Sequence, residues 1–218
     1  KRMVQSHHMT RIKICGITRV QDALAAARAG AHAIGLVFYE ASPRSVDPET
    51  AKIIIAALPP FVSAVGLFVN ADAQTVRNVL RDVPLDLLQF HGDEDAQFCQ
   101  HFEKPYMKAV RVKAGVDLLQ YATEHRAAKA LLLDAYREEA YGGTGHTFDW
   151  SLIPQGLPLP IVLSGGLSDA NVALGIQSVK PWAVDVSSGV EADKGIKDLN
   201  KVIAFIRAVR KADEEQQA

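Results

Sequence analysis

A thiol and a carboxyl group each close an apolar run in this chain: Cys15 ends RIKIC and Asp134 ends LLLD. A cysteine, with a free-state pKa of ~8.5, serves as a general base once its surroundings favour the thiolate. A carboxyl at the end of an apolar strand is partly desolvated, which raises its pKa and suits it to donate a proton. Taken singly, Cys15 reads as a buried structural thiol, whereas Asp134 reads first as the acid, with a loop cap or the partner of an arginine as the alternative. Together they form a candidate acid–base pair.

Two further segments suit an anion. Ser164-Gly165-Gly166-Leu167 and Asp185-Val186-Ser187-Ser188-Gly189 both grow out of apolar stretches. Glycines let main-chain N–H groups approach a phosphate closely, and serine hydroxyls add donors without bulk. Each alone reads equally well as a tight turn. Neither contains Lys or Arg, so the expected binding relies on main-chain donors and helix N-termini. Arg44, in ASPRSV, lies in a loop where a guanidinium would suit a substrate carboxylate, or be a solvated charge. Gln89 and His91 stand two residues apart on one strand face, and His91 is expected to orient groups rather than transfer the proton.

The elements that would position these residues repeat eight times as apolar strand, short loop and amphipathic helix. The strand candidates are Arg11–Ile17, Ala33–Phe38, Ser63–Val69, Leu85–His91, Tyr106–Val112, Lys129–Ala135, Pro160–Gly165 and Ala183–Ser188. The helices are expected at Val20–Ala29, Pro48–Leu58, Ala73–Asp82, Glu94–Phe102, Asp117–His125, Phe148–Ile153, Asp169–Ser178 and Lys197–Arg210. Asp47 before Pro48, Asp72, and Ser168-Asp169 supply helix-start signals. Runs such as ALLLDA and PIVLSGG read as strands buried on both faces. Eight such units predict a single-domain α/β protein, a closed (β/α)8 TIM barrel, whose chemistry gathers at the carboxyl ends of its strands. An open doubly wound sheet is the alternative, but its G-x-G-x-x-G fingerprint is missing after the first strand. In a closed barrel the first and last strands adjoin. Lys13, on the face of Cys15 and one layer deeper, is therefore expected to pair with Asp185.

Composition excludes other classes. The 218 residues carry 24 Lys and Arg against 25 Asp and Glu, a net charge of −1. No basic field is present to hold a nucleic-acid backbone, and no apolar run reaches the ~18 residues needed to span a bilayer. Two cysteines make neither a disulfide framework nor a metal cluster. Cys99, between Phe98 and Phe102 at helical spacing, reads as a core thiol. Only His91 is placed for a metal, so no metal site is expected. A cytoplasmic protein is expected, with residues 1–8 an expression remnant ahead of a barrel over 9–218. Tyr141-Gly142-Gly143-Thr144-Gly145 reads as a mobile loop that either closes over substrate or is a loose connection. Oligomeric state stays open, with a monomer as the simpler expectation.

KICGIT, SPR, LQFHGDE, LLLDA, GGTG, LSGGL and VDVSSGVE, in this order over Arg11–Arg210, resemble the phosphoribosylanthranilate isomerases of tryptophan biosynthesis. The resemblance implies a cofactor-free Amadori rearrangement of a small-molecule phosphosugar, N-(5-phosphoribosyl)anthranilate. It makes Asp134 the acid that opens the furanose ring and Cys15 the base that removes the C2 proton. Arg44 would hold the anthranilate carboxylate, and the backbone around Gly165, Gly166, Ser187 and Ser188 the phosphate. Gln89, His91 and Asp185 would complete the substrate site. Other phosphosugar-barrel activities remain as alternatives: a metal-dependent epimerase, a Schiff-base aldolase using Lys13, an indole-forming decarboxylase, or a barrel that only binds a phosphorylated ligand.

Overall fold

The computed structural model describes residues 9–113, 115–134 and 150–216. Eight parallel strands close on themselves in chain order: β1 (Arg11–Cys15), β2 (Ala33–Val37), β3 (Ser63–Phe68), β4 (Leu87–Phe90), β5 (Tyr106–Arg111), β6 (Ala130–Asp134), β7 (Ile161–Ser164) and β8 (Ala183–Val186). Closure is through β1 and β8, which pair with Lys13 opposite Asp185. The side chains alternate as strands require. Ile12, Ile14, Leu131 and Leu133 point outward into the cluster shared with the helices. Ala130 and Leu132 point inward and pack with Val65, Met107, Ala109, Val162 and Ala183. The barrel is thus plugged below, and Cys15, Val37 and Leu67 form the apolar layer above that plug.

The helices are α1 (Val20–Ala29), α2 (Pro48–Ala57), α3 (Ala73–Asp82), α4 (Ala96–Gln100), α5 (Leu118–Glu124), α6 (Val172–Val179) and α7 (Leu199–Glu215). Asp47, Asp72, Asp95, Asp117 and Asp198 each cap the helix that follows, accepting from a main-chain N–H in its first turn. Among the described residues no helix is long and apolar enough to cross a membrane.

Several boundaries differ from the sequence reading, each for a local reason. The helix expected from Asp169 begins at Val172, because Asn171 folds back and accepts from the Ser168 N–H. The one expected from Phe148 is only a 3-10 turn at Trp150–Leu152; Phe148, the GGTG motif and the loop around Gly142–Gly145 lie outside the described residues. So do residues 1–8. Glu94 is not helical, since its carboxylate is drawn to main-chain N–H groups. Lys197 is not helical either. It belongs to an antiparallel ribbon of β9 (Glu191–Asp193) and β10 (Ile196–Lys197), in which Lys197 pairs with Glu191.

Candidate active site

The carboxyl ends of the strands surround a cavity of about 600 Å³, within the range of small-ligand sites. Cys15, Arg44, Gln89, His91, Asp134, Gly165, Gly166, Asp185, Ser187 and Ser188 all line it, so every site residue expected from the sequence opens onto one space. Arg111, at the end of β5, lines it too.

Cys15 sits at the cavity floor, only 5% exposed. β1 aims it inward together with Lys13, whose ammonium donates to Asp185 Oδ1 at 2.7 Å. The pairing anticipated from barrel closure is therefore present. Asp185 accepts on its other oxygen from Ser164 Oγ at 3.1 Å. With one oxygen on Lys13 and the other on Ser164, Asp185 is fixed in place where it lines the cavity. Burial pushes the Cys15 thiol above its ordinary value, and the Lys13 ammonium pulls it back only in part. Burial alone would lower Lys13, but Asp185 and Cys15 more than offset it and the amine stays firmly protonated.

Across the cavity, three polar side chains run in series. Gln89 Nε2 lies 2.9 Å from His91 Nδ1, and His91 Nε2 lies 3.1 Å from Asp134 Oδ2. In the placement observed, the amide donates to Nδ1, so Nε2 carries the ring proton and donates to the Asp134 carboxylate. Gln89 is fully buried and its Oε1 has no hydrogen bond. Turning that amide over supplies an acceptor for Nδ1–H, and Nε2 then accepts from a protonated Asp134. The series is compatible with Asp134 in either protonation state. Behind it, the Glu94 carboxylate accepts from the N–H groups of Asn70 (2.7 Å) and Gly92 (2.9 Å) and from Lys108 Nζ (3.0 Å). This buried cluster pins the loop that carries His91.

The third rim is formed by the turns after β7 and β8. Gly165 and Gly166 both take the left-handed backbone conformation, φ 89° and 64°, which turns successive N–H groups toward one side. The second turn crosses tightly over the first. A Cβ on Gly189 would lie only 1.9 Å from the Leu167 carbonyl oxygen, so nothing larger than glycine fits. Neither turn carries a Lys or Arg of its own, but a cation stands behind them. Lys197 Nζ, buried behind them, donates to the Ser187 carbonyl at 3.1 Å and lies 3.5 Å from Ser187 Oγ. Of the two readings of Arg44, the solvated loop charge does not hold: Nε and Nη2 donate to the two oxygens of Glu191 at 2.8 and 2.7 Å. Sequence reasoning missed both Glu191 and Lys197. The signal was Lys194-Gly195, a hairpin turn set between them with Gly195 at φ 78°.

The profile of the N-(5'phosphoribosyl)anthranilate (PRA) isomerase family matches residues 12–208. The chain belongs to this family. It is 59% identical over 204 residues to an N-(5'-phosphoribosyl)anthranilate isomerase of Pseudomonas fluorescens, covering 94% of this chain and 97% of the relative. To the Pseudomonas aeruginosa enzyme of the same name it is 60% identical over 200 residues, covering 92% and 95%. The fold matches a phosphoribosyl anthranilate isomerase from Thermotoga maritima with TM-score 0.84 and 44% identity, over 93% of this chain and all (100%) of the other. A second such structure, in complex with reduced 1-(o-carboxyphenylamino)-1-deoxyribulose 5-phosphate, matches with TM-score 0.81 and 41% identity over 93% and 100% of the two chains. The family's fold, a closed barrel of eight strand–helix units, is the one described above.

Proposed function

We propose that this chain isomerises N-(5-phosphoribosyl)anthranilate to 1-(2-carboxyphenylamino)-1-deoxyribulose 5-phosphate, an aldose-to-ketose step of tryptophan biosynthesis. The observation that carries the reading is the shape of one cavity. A thiol on its floor faces a carboxyl–imidazole–amide series, and a glycine–serine rim and a held arginine stand at its edge. Product and substrate are isomers, so acid, base and positioning are sufficient chemistry.

Asp134, protonated, donates to the furanose ring oxygen. The C1–O bond breaks as the anthranilate nitrogen lone pair forms C1=N, and the ring opens to a protonated Schiff base. Asp134 is left as the carboxylate that accepts from His91 Nε2–H. Cys15, as the thiolate, removes the C2 proton; the C2–H electrons form C1=C2 and neutralise the nitrogen. The resulting enolamine loses its C2 hydroxyl proton and gains one at C1, giving the ketone. The main-chain donors around Gly165, Gly166, Ser187 and Ser188 hold the phosphate, with the charge of Lys197 behind them. Arg44 holds the anthranilate carboxylate. Lys13 acts by favouring the thiolate. Its permanently protonated amine, paired with Asp185, is a poor nucleophile, which weighs against a Schiff-base aldolase.

All these groups belong to one chain, so the reading needs no second copy. A catalytic thiol must stay reduced, which supports a reducing compartment such as the cytoplasm. The test is loss of anthranilate-glycoside fluorescence on adding the purified protein to phosphoribosylanthranilate. Turnover without added metal or cofactor is expected. Tight binding with no turnover would leave a ligand-binding barrel instead.

A further inference from the structure

One buried carboxylate joins the two anion-binding edges of the site. Glu191 is 7% exposed and begins β9, directly after the Ser187–Gly189 turn. Its Oε1 accepts from Arg44 Nε, from Lys197 Nζ at 2.8 Å and from the Gly195 N–H at 3.3 Å, while Oε2 accepts from Arg44 Nη2. Lys197 in turn holds the Ser187 carbonyl. Lys201 Nζ donates to the Glu191 main-chain carbonyl at 2.7 Å and fixes the backbone that carries the carboxylate. The loop after β2 and the turn after β8, far apart in sequence, are thereby fastened to the same two oxygens.

The geometry of the arginine is specific. Glu191 takes the Nε–Nη2 edge of the guanidinium side-on. Nη1 makes no hydrogen bond among the described residues, so the Nη1–Nη2 edge is the one left for a second carboxylate. A guanidinium is a planar fork, and fixing one edge sets the direction of the other.

We propose that Glu191 is a positioning residue: it sets the arginine edge that recognises the substrate's aromatic carboxylate and, through Lys197, braces the phosphate-binding turn, without touching substrate. The inference deepens the reading above and rests on it. Burial would raise the Glu191 carboxyl, but Arg44 and Lys197 hold it below its ordinary value, so the clamp is ionised at neutral pH. Two positive groups on one carboxylate also leave net positive charge beside the rim, as two anionic substrate ends require.

The test compares two ligands: reduced 1-(o-carboxyphenylamino)-1-deoxyribulose 5-phosphate, and the same molecule lacking the ring carboxylate. Wild type should prefer the carboxylated ligand, and Glu191→Gln should lower that preference by 10-fold or more. KM should rise by a similar factor, with kcat at saturation within about 3-fold of wild type. In an Arg44→Ala background, Glu191→Gln should change the preference no further, the signature of two residues acting as one unit. Thermal melts establish that each variant is folded. Should Glu191→Gln fail to fold, Glu191→Asp keeps the charge but withdraws the oxygens, and the same loss of preference is expected. Equal weakening of both ligands, or a loss of kcat with KM unchanged, overturns the proposal. A further loss of preference in the Arg44→Ala background overturns it too. If wild type itself shows no turnover and no preference, it is the isomerase reading that fails.

Discussion

Replacing Lys13 with methionine removes the cation beside the thiol on the cavity floor. A Cβ built on Gly35 would sit 2.6 Å from Cys15 Sγ and 3.1 Å from Lys13 Nζ, which bounds sulfur and nitrogen to about 5.7 Å of each other. At that separation, with an effective dielectric constant of ~20, the attraction between thiolate and ammonium is roughly 3 kcal/mol. Losing it reduces the thiolate population about 100-fold. Asp185, stripped of its partner, adds repulsion rather than relief. The base must be deprotonated to act, and its pKa, already raised by burial, rises further in the variant. The rising limb of log kcat against pH therefore moves to higher pH: kcat at pH 7 falls by about two orders of magnitude and the deficit shrinks as pH is raised. Arg44 and Lys197, the other cations coupled to this sulfur, are unchanged. Breaking a buried pair from one side costs ~3–5 kcal/mol of stability, so Lys13→Met with Asp185→Asn is the folded control and should shift the limb in the same direction. The assay is steady-state fluorescence decay from pH 6 to 10 with melts at each pH. A folded variant whose rising limb coincides with that of wild type refutes the role given to Lys13.

Asp134→Asn keeps the shape but cannot deliver a proton, and kcat should fall by ~10²–10⁴ with the melting temperature nearly unchanged. Arg44→Ala should chiefly raise KM, as loss of a binding contact does; an unchanged KM with a collapsed kcat would move Arg44 to the chemistry. Gly189→Ala drives a methyl into the Leu167 carbonyl, so phosphate-end affinity and melting temperature should both drop. A variant that binds inorganic phosphate like wild type would argue against that crossing of turns. Glu191 has a lowered folded pKa, so its contribution to stability is complete above its ordinary 4.5 and is lost as pH falls through the depressed value. Wild type should accordingly lose stability on acidification below about pH 4.5, and the loss should be smaller in Glu191→Gln.

How much of this was legible in the sequence follows from which signals are local. Alternation in RIKIC put Lys13 and Cys15 on one face, and apolar runs such as ALLLD marked strands buried on both sides. Ring closure alone then placed Lys13 opposite Asp185, 172 residues away. Polar residues at strand ends converge in any such barrel, so the lining of the cavity was readable as well. The bracing was not. Glu94 and Lys197 were both read as helix starts, because each stands just ahead of an amphipathic run. In the fold each is held in a non-helical segment by partners that no periodicity encodes. Arg44 and Glu191 are separated by 147 residues, and strands as short as Glu191–Asp193 and Ile196–Lys197 carry no alternation to detect. Contacts between loops depend on the closed barrel having already brought them together.

The most direct test of the account is a crystal structure of this chain with reduced 1-(o-carboxyphenylamino)-1-deoxyribulose 5-phosphate bound. The expected density has the phosphate against Gly166 and Ser188, the ring carboxylate on the Nη1–Nη2 edge of Arg44, Cys15 Sγ facing C2, and Asp134 on the opposite flank of the sugar. A ligand bound in reverse, with its phosphate on Arg44 and C2 turned away from the sulfur, would contradict it.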